Sequence, residues 1–109
     1  MAAEGFIAVL VTVGSGVEAE RLAESLVEER LAACVNIVGP IRSIYRWQGV
    51  IERGEEHLLV VKTRRALFEA LSARVRELHS YAMPEILALP IETGAAAYLA
   101  WIAESTALA

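Results

Sequence analysis

Residues 34 to 63 limit the possible folds more than any other part of the chain, because they read as one long β-hairpin. Val35, Ile37, Ile41, Tyr45 and Trp47 stand two or four apart, the spacing of one face of an extended strand, and Gly39-Pro40 marks a bulge or bend. Gln48-Gly49 supplies the turn. The second arm runs from Val50 into Leu58-Leu59-Val60-Val61, with the polar stretch Glu52 to His57 between its apolar ends, so it starts exposed and finishes buried. Arms of about a dozen residues, rising about 3.3 Å each, outreach the usual strand of roughly five or six residues. A tip that far from any core has to lean on a surface outside the monomer.

The flanking segments supply that core. Phe6 to Val13 is a continuous apolar and β-branched run, expected as a central strand buried on both sides. Gly14-Ser15-Gly16 breaks it, and Ser15 followed by Glu18 has the form of a capping box that starts a helix. Ala19, Leu22, Ala23, Leu26 and Val27 then recur at helical spacing, which predicts an amphipathic helix from Val17 to Leu31. After the hairpin, Thr63 is a candidate cap for a second helix whose stripe is Leu67, Leu71, Val75 and Leu78, ending near His79. Glu85 to Ile91 reads as a fourth strand, which Pro90 confines to a sheet edge or terminates, and Gly94 to Ala103 as a short final helix. The order is β-α-β-β-α-β plus a helix. With right-handed crossovers this gives an α+β, ferredoxin-like sandwich in which both helices cover one face of an antiparallel sheet. Positions 1 to 109 are read as a single domain.

Composition narrows the partners. A net charge of −4 and a pI near 5.2 fit poorly with a polyanion held through Lys and Arg, so nucleic acid is not expected. The longest apolar run, Phe6 to Val11, is far short of a membrane span, and no membrane partner is expected. Met1 to Glu4 carries no basic leader region, and the lone Cys34 cannot form an internal disulfide; together these point to the cytoplasm. A hydrophobic fraction of 56% leaves a surplus of apolar surface that favours an oligomer.

Three groups of residues are chemically suggestive. Gly14-Ser15-Gly16-Val17-Glu18-Ala19 fits a dinucleotide fingerprint, but no acid ends the second strand and a hairpin follows where another βαβ unit should be, so it reads as a turn with a cap. His79-Ser80-Tyr81-Ala82-Met83-Pro84-Glu85 places an imidazole, a phenol and a carboxylate on one loop, able to ligate a metal or shuttle protons. Those residues also have an architectural reading, with His79 closing a helix through its dipole, Tyr81 packing and Glu85 pairing with a base. His57, beside Glu55 and Glu56, is a weaker candidate and reads as part of a solvated strand face. Tyr45 and Trp47, near the hairpin tip, are expected as interface anchors or as walls of a ligand pocket. Asn36, Tyr45, Trp47, Lys62, His79 and Glu85 are placed around one cleft at each subunit boundary, with Lys62 as the anchor for a small polar or anionic ligand, or as the structural partner of Glu85. No catalytic signature emerges: there is no Ser/His/Asp order, no paired Asp, no C-x-x-C and no P-loop.

Leu31-Ala32-Ala33-Cys34-Val35-Asn36, Ser43-Ile44-Tyr45-Arg46-Trp47-Gln48-Gly49, Val61-Lys62-Thr63 and His79-Ser80-Tyr81-Ala82-Met83-Pro84-Glu85-Ile86 closely resemble the CutA (divalent cation tolerance) family, in the same order and over nearly the whole chain. The resemblance implies a ferredoxin-like homotrimer whose hairpins pair between subunits, a role in tolerance of copper and other divalent ions without catalysis, and a likeness to PII signalling proteins. Family members proposed to bind copper use a cysteine near the end of the first strand and two adjacent histidines; here those places hold Val11 and Leu78, leaving His79 alone. A single imidazole is a poor copper site. No cofactor is required on this reading, although a divalent metal such as copper is a possible ligand. The alternatives are a PII-like regulator binding a small anion between subunits, and an enzyme using His79, Tyr81 and Glu85.

Overall fold

The computed structural model describes residues 5–106, so the reading of Met1 to Glu4, and the outermost positions of the single-domain reading, lie outside the described residues. The elements are β1 (Phe6–Val13), α1 (Gly16–Glu28), β2 (Cys34–Trp47), β3 (Val50–Arg64), a 3-10 turn (Arg65–Leu67) leading into α2 (Phe68–Leu78), β4 (Leu87–Pro90) and α3 (Ala96–Ser105). The sheet order is β2-β3-β1-β4 and every pairing is antiparallel, which is the expected α+β, βαββαβ arrangement with a terminal helix.

β1 is covered differently from its expectation. Ile7, Val9, Val11 and Val13 are buried, whereas the residues between them are only partly so, because α1 and α2 cover just one face of the sheet. On that face Ala19, Leu22 and Leu26 of α1 and Leu71 and Val75 of α2 close over β1 and over Leu59 and Val61 of β3. Each fully enclosed leucine or valine contributes roughly 1.5–3 kcal/mol relative to exposure. A smaller cluster, in which Leu99 and Ile102 of α3 pack on Ala33 with Phe6 and Ile91 beside them, covers part of the opposite side.

Helix α1 begins as its sequence indicates, with the Ser15 hydroxyl accepting the Glu18 amide at 3.2 Å. The reciprocal half of the capping box is absent, because the Glu18 carboxylate instead accepts the amide and hydroxyl of Ser80, each at 3.0 Å. The helix also stops at Glu28 and not at Leu31. Arg30 turns left-handed at φ 61°, and the amides of Leu31 and Ala32 both return to the Leu26 carbonyl, which tucks Leu31 against the core.

Thr63 does not cap α2. It is the penultimate residue of β3, buried, and its hydroxyl donates to the Leu31 carbonyl at 2.7 Å, tying the end of α1 to the sheet. Thr63→Val keeps the shape and removes that donor, so a loss of about 1–2 kcal/mol is expected in urea unfolding. An unchanged midpoint and slope would show that the Leu31 carbonyl is satisfied without Thr63.

The hairpin has arms of 14 and 15 residues, and Gln48 and Gly49, at φ 49° and 81°, form the two-residue turn whose twist suits paired strands. At Gly39-Pro40 the register slips. Val38 pairs with Leu58 and Ile41 with Glu56, so β2 spends three steps against two on β3. Since side chains alternate across a strand, the extra residue exchanges the two faces. Val35 and Ile37 stand with Val61 and Leu59 on the helix side, whereas Ile41, Tyr45 and Trp47 stand with Glu56, Glu52 and Val50 on the other, so the five residues do not form the single face expected of them. Past His57, the last partner of β1, the hairpin continues as two strands alone and stretches the molecule to 44 × 25 × 22 Å.

β4 is shorter than expected, four residues at the sheet edge, with Pro90 as its last pairing residue; Ile86 packs on the core instead. α3 lies two residues later than Gly94 to Ala103, and the Thr106 hydroxyl donates back to the Ile102 carbonyl at 2.9 Å.

Candidate functional site

The connection between α2 and β4 passes the end of β1, and His79 fastens it there. His79 Nε2 lies 2.7 Å from the Thr12 carbonyl oxygen. A carbonyl only accepts, so Nε2 carries the proton and Nδ1 presents its lone pair to the Tyr81 amide, which donates to it at 3.0 Å. The imidazole is fully enclosed, and Glu18 approaches Nδ1 to 3.4 Å. Both ring nitrogens are thus engaged within the chain, and the ring acts as a bracket between β1 and the connection, not as a helix-end charge.

Tyr81 stacks obliquely on His79 with ring centroids 4.6 Å apart, and its hydroxyl donates to Glu56 at 3.0 Å. Gly14 makes room for it, since a Cβ there would sit 3.3 Å from the phenol oxygen. Burial first, and then the hydrogen bond and charge of Glu56, push the Tyr81 phenol up to about 12. A group whose folded pKa is raised stabilises the fold fully below its unfolded pKa and loses that contribution as pH climbs through the folded value. Tyr81 should therefore cease to stabilise between about pH 10 and 12. Ultraviolet titration is expected to show a phenol ionising near 12 that Tyr81→Phe removes. Complete ionisation of every tyrosine near pH 10 would contradict this.

Tyr81 forms one wall of a groove of about 630 Å³ under the hairpin. Tyr45 and Trp47 form the opposite wall, Met83 and Ile44 add apolar surface, and Glu52, Glu56 and Glu85 supply carboxylates. Of the residues placed around one cleft, Tyr45, Trp47 and Glu85 line this groove, and His79 stands behind Tyr81. Asn36 and Lys62 are elsewhere, beside Cys34 at the base of the sheet. Lys62 Nζ donates toward Cys34 Sγ at 4.0 Å, and Cys34 Sγ toward Asn36 Oδ1 at 3.9 Å. Tyr98 joins that second group, its phenol pushed up by burial and then by the neighbouring Cys34. Within the single chain Lys62 neither lines this groove nor pairs with Glu85. With three glutamates and no Lys or Arg in its lining, the groove has the wrong sign for an anion.

Glu52 and Glu56 were not singled out in the sequence. The bulge is the signal that locates them, because a shift of one residue at Gly39-Pro40 sets them on the face of Ile41 and Tyr45. His57 is likewise not on a solvated face. Its ring lies against Gly16 and Gly39, and its Nδ1 is buried with no hydrogen-bond partner among the described residues. Among the described residues no three His, Cys or Glu side chains are grouped so as to hold a metal ion.

Comparison with known proteins gives a consistent result. The family model described as CutA1 divalent ion tolerance protein matches residues 7–105. The divalent-cation tolerance protein CutA of Thermus thermophilus is 54% identical over 98 residues, spanning 90% of this chain and 95% of that protein. The chloroplastic protein CutA of Arabidopsis thaliana is 47% identical over 100 residues, and there the match covers 92% of this chain but 55% of the longer plant protein. The crystal structure of CutA1 from Oryza sativa superposes with a TM-score of 0.94 at 44% identity, covering 98% of both chains. With the family model, the identity and the superposition in agreement, the chain belongs to the CutA1 divalent ion tolerance family.

Proposed function

We propose that the chain works as a homotrimer that confers tolerance of divalent cations, copper among them, by binding and not by catalysis, in the cytoplasm. One observation carries the assembly: Ile44, Tyr45, Trp47, Val50 and Ile51 all stand exposed on a hairpin that reaches beyond its own core. Apolar surface of that extent on a protruding two-stranded arm is stable in water when other copies cover it, and a head-to-tail contact that closes on itself gives a ring. The name of the Thermus thermophilus relative, divalent-cation tolerance protein CutA, and that of the family, CutA1 divalent ion tolerance protein, support the cation role. The lone Cys34 supports a reducing compartment.

Light scattering is expected to return three times the 11.8 kDa chain mass, and a stable monomer would overturn the assembly. With both His79 nitrogens engaged, Cu(II) is expected to bind no tighter than about micromolar unless copies together build the site. Calorimetry is the check, and a stoichiometric nanomolar site on a single chain would contradict the expectation.

A further inference from the structure

The face of the sheet turned away from α1 and α2 is only partly covered. Leu10, Leu58 and Val60 lie half-buried on it, and Val38, Leu87 and Leu89 are exposed. Because the bulge belongs to β2, β3 keeps its alternation throughout, and Glu52, Glu56 and Lys62 all stand on this side. Lys62 is the single lysine of the chain and is half-buried. Among the described residues its ammonium meets no carboxylate, only the Cys34 sulfur at 4.0 Å. The other base on this side of β3, Arg64, donates to the Thr106 hydroxyl at 2.8 Å. Further along the same face lies the groove, where Glu52, Glu56 and Glu85 meet no Lys or Arg. Glu52 and Glu85 have no ion-pair or hydrogen-bond partner among the described residues, and Glu56 accepts only the Tyr81 hydroxyl. At about 3.3 Å per strand residue, Lys62 is roughly 20 Å from Glu56 and roughly 33 Å from Glu52. No side chain spans that distance, so the lysine and these acids cannot meet within one chain.

They can meet between two copies. The apolar face is continuous with Tyr45 and Trp47 on the same side of the hairpin, and an exposed patch of that extent marks a protein contact. Covering it takes water away from Lys62, and an ammonium without water needs a carboxylate beside it. A second copy brings one, since every chain carries the unpaired lysine at one place on the face and the unpaired acids at another. Two different patches that complement each other make a head-to-tail contact, and such contacts close into a ring. We propose that Lys62 of one copy enters the groove of the next and pairs with its carboxylates, so that this ion pair exists only in the assembly. The proposal rests on the homotrimer reading and adds to it which two surfaces meet.

A water-soluble carbodiimide joins an ammonium to a carboxylate it touches, as an amide with no spacer atoms. Treatment of the assembled wild-type protein is expected to give covalent dimers on a denaturing gel, and their peptide maps should join Lys62 to Glu52, Glu56 or Glu85. Lys62→Glu sets like charges against each other and should raise, at least about tenfold, the concentration below which the chains separate in sedimentation, with an unaltered circular dichroism spectrum. Should that variant fail to fold, the crosslink in the wild-type chain still decides. Light scattering on the same samples separates the two readings. A monomer would overturn the assembly and this contact with it. An intact trimer would overturn the contact alone if Lys62 is coupled to other carboxylates, only within its own chain, or not at all, or if a folded Lys62→Glu variant dissociates at the wild-type concentration.

Discussion

Gly39→Ala is expected to destabilise the fold by about 3 kcal/mol, the upper part of the range for overpacked sites. A methyl group at that position would lie 2.6 Å from His57 Cδ2, 2.8 Å from Cγ and 3.2 Å from the His57 Cα. The first two contacts are relieved if the imidazole swings away, but the third is with backbone and requires the strands to part. The ring itself has little freedom, since it also lies against the start of α1, where a Cβ on Gly16 would be 3.3 Å from Nε2. His57 thus wedges the base of the hairpin between the helix and the bulge. Equilibrium unfolding of Gly39→Ala, His57→Ala and the double variant is the check. If the clash is with the ring, Gly39→Ala should cost less than half as much in the His57→Ala background, a coupling expected only of residues in contact. Additive costs would show that the penalty does not come from the ring, and a Gly39→Ala midpoint equal to that of the wild type would show that the bulge tolerates a side chain.

That same bulge divides what the sequence discloses from what it withholds. Periodicity was sufficient for the order of elements, because Ala19, Leu22 and Leu26 or Leu71 and Val75 recur at a spacing only a helix can bury together, and Gln48-Gly49 is a turn on local grounds. Element ends were less legible, since they depend on tertiary partners. Leu31 leaves α1 because its place in the core lies behind Leu26, and Thr63 stays in β3 because the Leu31 carbonyl waits opposite it. Gly39-Pro40 announced a bulge, but not that one extra residue would exchange the faces of the outer hairpin. That exchange sets Tyr45 and Trp47 on the face of Lys62 and Asn36, and distance along the strands keeps the two groups apart within one chain. Tyr45 and Trp47 turn toward Glu52, Glu56 and Tyr81, while Lys62 and Asn36, further down the strands, gather around Cys34. His79 was singled out for its chemistry. Its use in fastening a connection through the Thr12 carbonyl and the Tyr81 amide is invisible without knowing that β1 ends beside it.

Trp47→Ala is expected to weaken subunit association by about 2 kcal/mol or more per interface, which is the usual cost of truncating an aromatic anchor. Trp47 is the last residue of β2, beside the turn, and stands 45% exposed in the single chain, so its indole contributes little to the fold of that chain. Its neighbours at the tip, Tyr45 across the groove face and Val50 paired directly with it, are similarly exposed. Removing the indole should therefore leave monomer stability nearly unchanged while lowering the energy of contact with another copy. Because a ring has an interface for every subunit, the loss is repeated at each one, and about 2 kcal/mol corresponds to roughly a thirtyfold change in each pairwise constant. Sedimentation of the variant over a dilution series should show monomer at concentrations where the wild type remains assembled, with an unaltered circular dichroism spectrum. Dissociation at the same concentration as the wild type would place Trp47 outside the interface, and loss of the folded spectrum together with the assembly would mean that the hairpin does not hold its shape without a partner.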